Sequence, residues 1–190
     1  MQYHYQDLIQ LFNKTFSQTH NTRLIKGGDE PIYIPENSEC DYNQVIFARG
    51  YYASAFHEIA HWCHAGAKRR LLEDYGYWYV PDGRNEQQQA KFEQVEIIPQ
   101  AIEWAFNVAV EKEFHVSSDN LNGFQADTQG FKNKVFQQVE VFLEQGFPTR
   151  ANQFIEALAQ FYNTELPLTV DRFIKGNEYV ESVKREICLN

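Results

Sequence analysis

The run His57-Glu58-Ile59-Ala60-His61 carries the strongest chemical signal in this 190-residue chain. Two histidines four apart share one face of a helix and can present ring nitrogens to a single metal ion. The flanking residues, Tyr51 to Gly66, read as a helix of about four turns that ends near Gly66. His64 follows one turn on. The longer metzincin pattern needs glycine at 64 and histidine at 67, where this chain has His64 and Ala67, so His64 is not expected among the ligands.

Two imidazoles leave a metal ion short of protein donors. The next long helical pattern, Glu86 to Lys112, contains one breaker, Pro99, where a bend is expected. At about 100° per residue, Glu93, Glu96, Gln100, Glu103 and Asn107 fall within an arc of about 80°, and apolar residues cover most of the remainder. Glu96 is the expected third ligand, with Glu93 as its hydrogen-bonding partner or substitute. For Glu103 and Asn107, a solvent-facing stripe fits the spacing as well as an inward one.

Two imidazoles and one carboxylate are chemically ambiguous. With zinc, the set would activate water for peptide hydrolysis with Glu58 as general base; with ferrous iron, it leaves positions free for oxygen and substrate. None of the six histidines is followed two residues later by Asp or Glu, so the signature of the barrel-type 2-oxoglutarate hydroxylases is missing. Tyr75, Tyr77, Trp78 and Tyr79 could wall a pocket or belong to the core. Asp82-Gly83-Arg84 reads as a solvated turn, and Cys63 as a buried structural thiol.

The elements that must position these residues follow from periodicity. Residues 5–17 predict a helix and Thr19 to Gly28 a polar loop. Pro31-Ile-Tyr-Ile-Pro35 and Gln44-Val-Ile-Phe-Ala48 predict two paired strands, and 131–145 and 149–163 two amphipathic helices. The expected fold is therefore α+β, a mostly helical single domain over residues 1–190, with a small sheet packed on the helix that bears the histidine pair.

Composition narrows the class. Apolar residues make up 43% and aromatics 15%, which suits a globular protein rather than a disordered one. The 17 basic against 26 acidic residues give a net charge of −9, which disfavours a nucleic-acid partner. Cys40, Cys63 and Cys188 form neither a disulfide framework nor a zinc knuckle, as expected of a reducing, cytoplasmic setting. No apolar run approaches the roughly 20 residues of a membrane span, and the first residues do not read as a secretory signal.

The run His57-Glu-Ile-Ala-His-Trp-Cys, followed by Tyr75-Gly-Tyr-Trp-Tyr, Pro81-Asp-Gly-Arg84, Phe92-Glu-Gln-Val-Glu96, Pro99-Gln-Ala101 and Ser118-Asp-Asn-Leu121, resembles the bacterial elongation factor P hydroxylase family over nearly the whole chain. That resemblance implies an oxygen-dependent hydroxylase acting on a lysine of elongation factor P that already carries a β-lysyl group. It also implies a metal, non-haem iron before zinc, with His57 and His61 matching the histidine ligands and Glu96 the carboxylate. Such a substrate carries two amines, which the acidic stripe Glu93, Glu96 and Glu103 could receive; Tyr77 and Trp78 would line the substrate side. An acidic protein partner could dock on Lys68-Arg69-Arg70.

Overall fold

A computed structural model describes residues 2–76, 82–125 and 127–174. Tyr77, Trp78, Tyr79 and Cys188 lie outside the described residues.

The small sheet has three strands, β1 (Thr22–Lys26), β2 (Ile32–Ile34) and β3 (Asn43–Phe47). The central strand is β3, antiparallel to β2 and parallel to β1. The β2/β3 pair follows the sequence pattern; β1 corrects the loop expected over Thr19 to Gly28. Thr22 and Leu24 are buried while Arg23 is exposed, the period-two alternation of a strand with one covered face. Gly27 continues the pairing by donating to the Phe47 carbonyl at 2.8 Å, and a Cβ there would collide with the Ile46 side chain.

Helix α1 (Tyr5–His20) runs three residues beyond the expected end and stops at Asn21, whose φ of 46° is left-handed. It buries Leu8, Phe12 and Phe16. Phe12 and Phe16 meet Trp62 at ring distances of 5.2 and 4.8 Å, which joins α1 to the next helix through aromatic edges.

That helix, α2 (Tyr52–His64), leaves β3 through a turn in which Arg49 and Gly50 have φ of 51° and 81°. The Ser54 hydroxyl accepts the Ala48 N–H at 3.0 Å and secures the turn. The buried face of α2 consists of Ala55, Phe56, Ile59, Ala60, Trp62 and Cys63. Helical periodicity therefore leaves His57, Glu58 and His61 together on the opposite, half-buried face. Truncating a core anchor such as Phe56 to Ala would cost about 3–5 kcal/mol. At the other end of α2, Arg150 donates to the carbonyls of Trp62, Cys63 and Ala65 at 2.8, 3.0 and 2.6 Å and so caps the helix C-terminus.

Helix α3 (Glu86–Ala109) opens on a capping box made by Asn85 and Gln88 and continues helical through Pro99. It packs against α2, with α4 (Thr128–Gln145) and α5 (Thr149–Tyr162) around it and the short α6 (Val170–Ile174) alongside. Its polar stripe Glu96, Gln100, Glu103 and Asn107 is buried. The solvent-facing alternative for Glu103 and Asn107 is thereby overturned: both are buried, Glu103 against His57 of α2, which the helical wheel of α3 alone cannot reveal.

Candidate metal centre

The α2–α3 contact brings three nitrogen and oxygen donors together. His57 Nε2 and His61 Nε2 lie 3.1 Å apart, His61 Nε2 is 3.2 Å from Glu96 Oε1, and His57 Nε2 is 3.6 Å from Glu96 Oε2. Metal–ligand bonds of about 2.0–2.2 Å at angles between square and tetrahedral put adjacent ligand atoms about 2.8–3.6 Å apart. The three separations therefore have the size of edges of a coordination polyhedron, and His57, His61 and Glu96 form a group that could hold a metal ion. A face of two imidazoles and one carboxylate leaves the remaining positions open. The His57 side chain keeps 29% of its exposure, so the face is reachable from one side.

Supporting contacts fix the donors. His57 Nδ1 is 3.0 Å from Glu103 Oε2; a ring that donates there from Nδ1–H turns the Nε2 lone pair toward the shared point. Gln100 donates to Glu96 Oε2 at 3.3 Å and to the Ser117 carbonyl at 2.8 Å, and its own oxygen accepts the Ser117 N–H at 3.0 Å. Asn107 closes the stripe by donating to the Glu103 carbonyl at 2.9 Å.

The electrostatics are those of a packed ion cluster. Burial alone would lower the His57 pKa, but the Glu103 hydrogen bond and the Glu96 charge outweigh it and raise the imidazole to about 10. Burial likewise pushes the Glu96 carboxyl up, and His61, by charge and hydrogen bond, overcomes this and brings it down to about 2. Burial raises the Glu58 carboxyl above the ordinary carboxylate value against the pull of His57 and His61.

Residues around this face divide sharply. Glu93 is not in the donor group: its carboxylate accepts from Gln89 at 3.3 Å and lies 3.9 Å from Lys134. His64 is exposed at the helix end. Cys63 is buried, and burial pushes its thiol well above the ordinary value, as befits an inert thiol. Tyr75 is buried, stacks on Tyr33 at 4.4 Å and lies parallel to the His61 ring at 6.4 Å. In the basic cluster, Arg69 donates to the Tyr75 carbonyl at 2.9 Å and Arg70 to the Ala65 carbonyl at 2.6 Å, so both guanidiniums serve the backbone as well as the surface.

Arg84 corrects the expectation of a solvated turn, because its side chain is only 2% exposed. Its Nε donates to Gln89 Oε1 at 2.9 Å, one terminal nitrogen reaches the Ser118 carbonyl at 3.0 Å and the Asp119 carbonyl, and its guanidinium lies 3.8 Å above the Phe92 ring. These partners lie as many as 35 positions away in the chain, so no local pattern announces them.

Two comparisons with known proteins bear on this arrangement. Residues 11–173 match the family described as elongation factor P hydroxylase. The chain is also 51% identical over 173 residues to the elongation factor P lysine hydroxylase of Haemophilus influenzae, covering 91% of this chain and 97% of that protein.

Proposed function

This chain belongs to the elongation factor P hydroxylase family, and from that premise we propose that it is a metal-dependent hydroxylase using molecular oxygen on the β-lysylated lysine of elongation factor P. His57, His61 and Glu96 hold the metal, ferrous iron in preference to zinc, and residues 1–190 act as one catalytic domain. A translation factor as substrate makes the cytoplasm its place of work. No helix among the described residues is long and apolar enough to cross a membrane.

The observation that carries this reading is the convergence of the two Nε2 atoms and the Glu96 carboxylate at ligand-to-ligand spacing on an accessible face. Bound there, ferrous iron would supply the site at which oxygen is reduced, one oxygen atom entering a substrate C–H bond and the other leaving as water with two electrons and two protons from a reductant. His57 binds through Nε2 while Glu103 holds its Nδ1–H. Gln100 fixes the rotation of the Glu96 carboxylate. Glu58, adjacent to the His57 ligand, would stand beside the metal without being one of its ligands, and burial raises its carboxyl above the ordinary carboxylate value.

The test is reconstitution of anaerobically purified protein with ferrous iron or with zinc, followed by intact-mass measurement of β-lysylated elongation factor P. The iron form should add about 16 Da in air and cleave no peptide bond, and the zinc form should add nothing. Oxygen-independent peptide cleavage by the zinc form, lost in Glu58→Gln, would replace this reading with that of a zinc metallopeptidase.

A further inference from the structure

Tyr75 stands beside the metal face with a hydroxyl that its packing does not explain. Its ring is nearly parallel to that of Tyr33, 4.4 Å away at 15°, and to that of His61, 6.4 Å away at 12°. The residue is 5% exposed, and its hydroxyl has no hydrogen-bond partner among the described residues. A phenylalanine would make the same ring contacts without burying an unsatisfied polar group. Trp62 Nε1 and Arg150 Nε are buried without partners as well. Of the three residues, only Tyr75 has a ring contact with a donor of the metal face among the described residues.

The backbone holds the ring in this place. Asp74 and Tyr75 have φ of 45° and 58°, two successive left-handed residues that are not glycine, before Gly76 at 70°. The Asp74 carboxylate accepts the Tyr33 N–H at 2.8 Å, and the Tyr75 N–H donates to the Leu72 carbonyl at 3.0 Å. Arg69 donates to the Tyr75 carbonyl at 2.9 Å. The phenol therefore cannot turn out to water without breaking these contacts. Burial raises its hydroxyl well above the ordinary phenol value, and the charge of Glu58, on the same face of α2 as His57 and His61, adds to this. It is a neutral donor that the chain provides with no acceptor.

We propose that the Tyr75 hydroxyl donates a hydrogen bond to a small ligand that occupies an open position of the His57–His61–Glu96 centre and carries negative charge on its outer atoms. The inference rests on the hydroxylase reading, in which oxygen reaches that centre and gains electrons there. A donor fixed in advance needs no reorganisation when charge appears beside it, and in a water-poor site it acts more strongly than in solvent. The ring contact with His61 places the phenol on the side of the centre where that ligand's acceptor is missing from the chain.

Nitric oxide is the probe, because it binds ferrous iron as dioxygen does and takes up negative charge there. Its affinity is read by absorption on anaerobic, ferrous-loaded wild type and Tyr75→Phe, which keeps the ring and its contacts. Tyr75→Phe should bind nitric oxide about 10-fold more weakly. Its ferrous affinity should match wild type, because the hydroxyl is not a ligand. The metal-free variant should melt no lower than wild type, since it loses a buried group that made no hydrogen bond. Unchanged nitric oxide affinity in Tyr75→Phe would overturn the assignment and leave the hydroxylase reading intact. Loss of ferrous ion from Tyr75→Phe would overturn it too, by making the phenol part of the metal-holding set. A wild-type protein that holds ferrous ion and takes up no nitric oxide would remove the hydroxylase reading as well.

Discussion

The Nδ1 atom of His57 on α2 lies 3.0 Å from Oε2 of Glu103 on α3, and Glu96, two turns earlier on α3, faces the Nε2 atom of the same ring. One imidazole is thus gripped from both sides by one helix. Glu103→Ala should therefore lower metal affinity by about 10- to 100-fold without abolishing it, because an orienting partner is lost and a ligand is not. Glu103→Gln should keep most of the affinity, since its amide oxygen can still accept the Nδ1–H. Titration with ferrous ion under anaerobic conditions separates the two variants.

Replacement of His57, His61 or Glu96 by Ala should eliminate stoichiometric metal, whereas Glu93→Ala should retain it, because Glu93 is engaged by Gln89 and Lys134 and does not join the donor group. Elemental analysis of the four proteins after anaerobic loading checks this. Metal lost in Glu93→Ala and kept in Glu96→Ala would exchange the two assignments.

The acidic stripe shows what a sequence can and cannot disclose. The histidine pair is legible because ligand spacing and helical period are both local, and the angular position of the stripe narrows the third donor to its carboxylates, Glu96 before Glu93. Glu103 and Asn107 stay undecided in the sequence, since an inward and an outward stripe have the same period until the helix packed against it is known. β1 is hidden for a different reason: Thr22-Arg-Leu-Ile-Lys26 is polar on its exposed face and is completed by hydrogen bonds to β3. The burial of Arg84 depends in part on the Ser118 and Asp119 carbonyls, more than thirty residues on, which no motif encodes.

The metal-free protein should show a pH signature of the cluster. Glu96 is held at about 2, below the ordinary value of about 4.3, so its contribution to stability is present above that value and is lost as pH falls through the folded pKa. His57 is raised to about 10 from an ordinary value of about 6.5, so its contribution is full below about 6.5 and disappears as pH rises toward the folded pKa. Denaturant midpoints of the metal-free protein should therefore decline on both sides of that interval, and Glu96→Gln should flatten both limbs. Metal binding needs neutral His57, so affinity should rise with pH and protons should be released, a quantity calorimetry in buffers of different ionisation heat can read.

Arg150 offers a purely structural counterpart. It caps three carbonyls at the end of α2, so Arg150→Ala should destabilise the protein by about 1–3 kcal/mol through the donors it removes. Thermal denaturation with and without saturating metal measures the loss. Comparable metal affinity in the folded variant is expected, because Arg150 bonds the carbonyls of Trp62, Cys63 and Ala65 and none of the three donor side chains.

The most direct test of the whole account is the origin of the added oxygen. Ferrous-loaded wild-type protein, given β-lysylated elongation factor P under ¹⁸O₂ in ordinary water, should shift the modified peptide by about 18 Da rather than about 16 Da, and His57→Ala should give no shift. A shift of about 16 Da under ¹⁸O₂, or no shift with wild type at full metal occupancy, would contradict it.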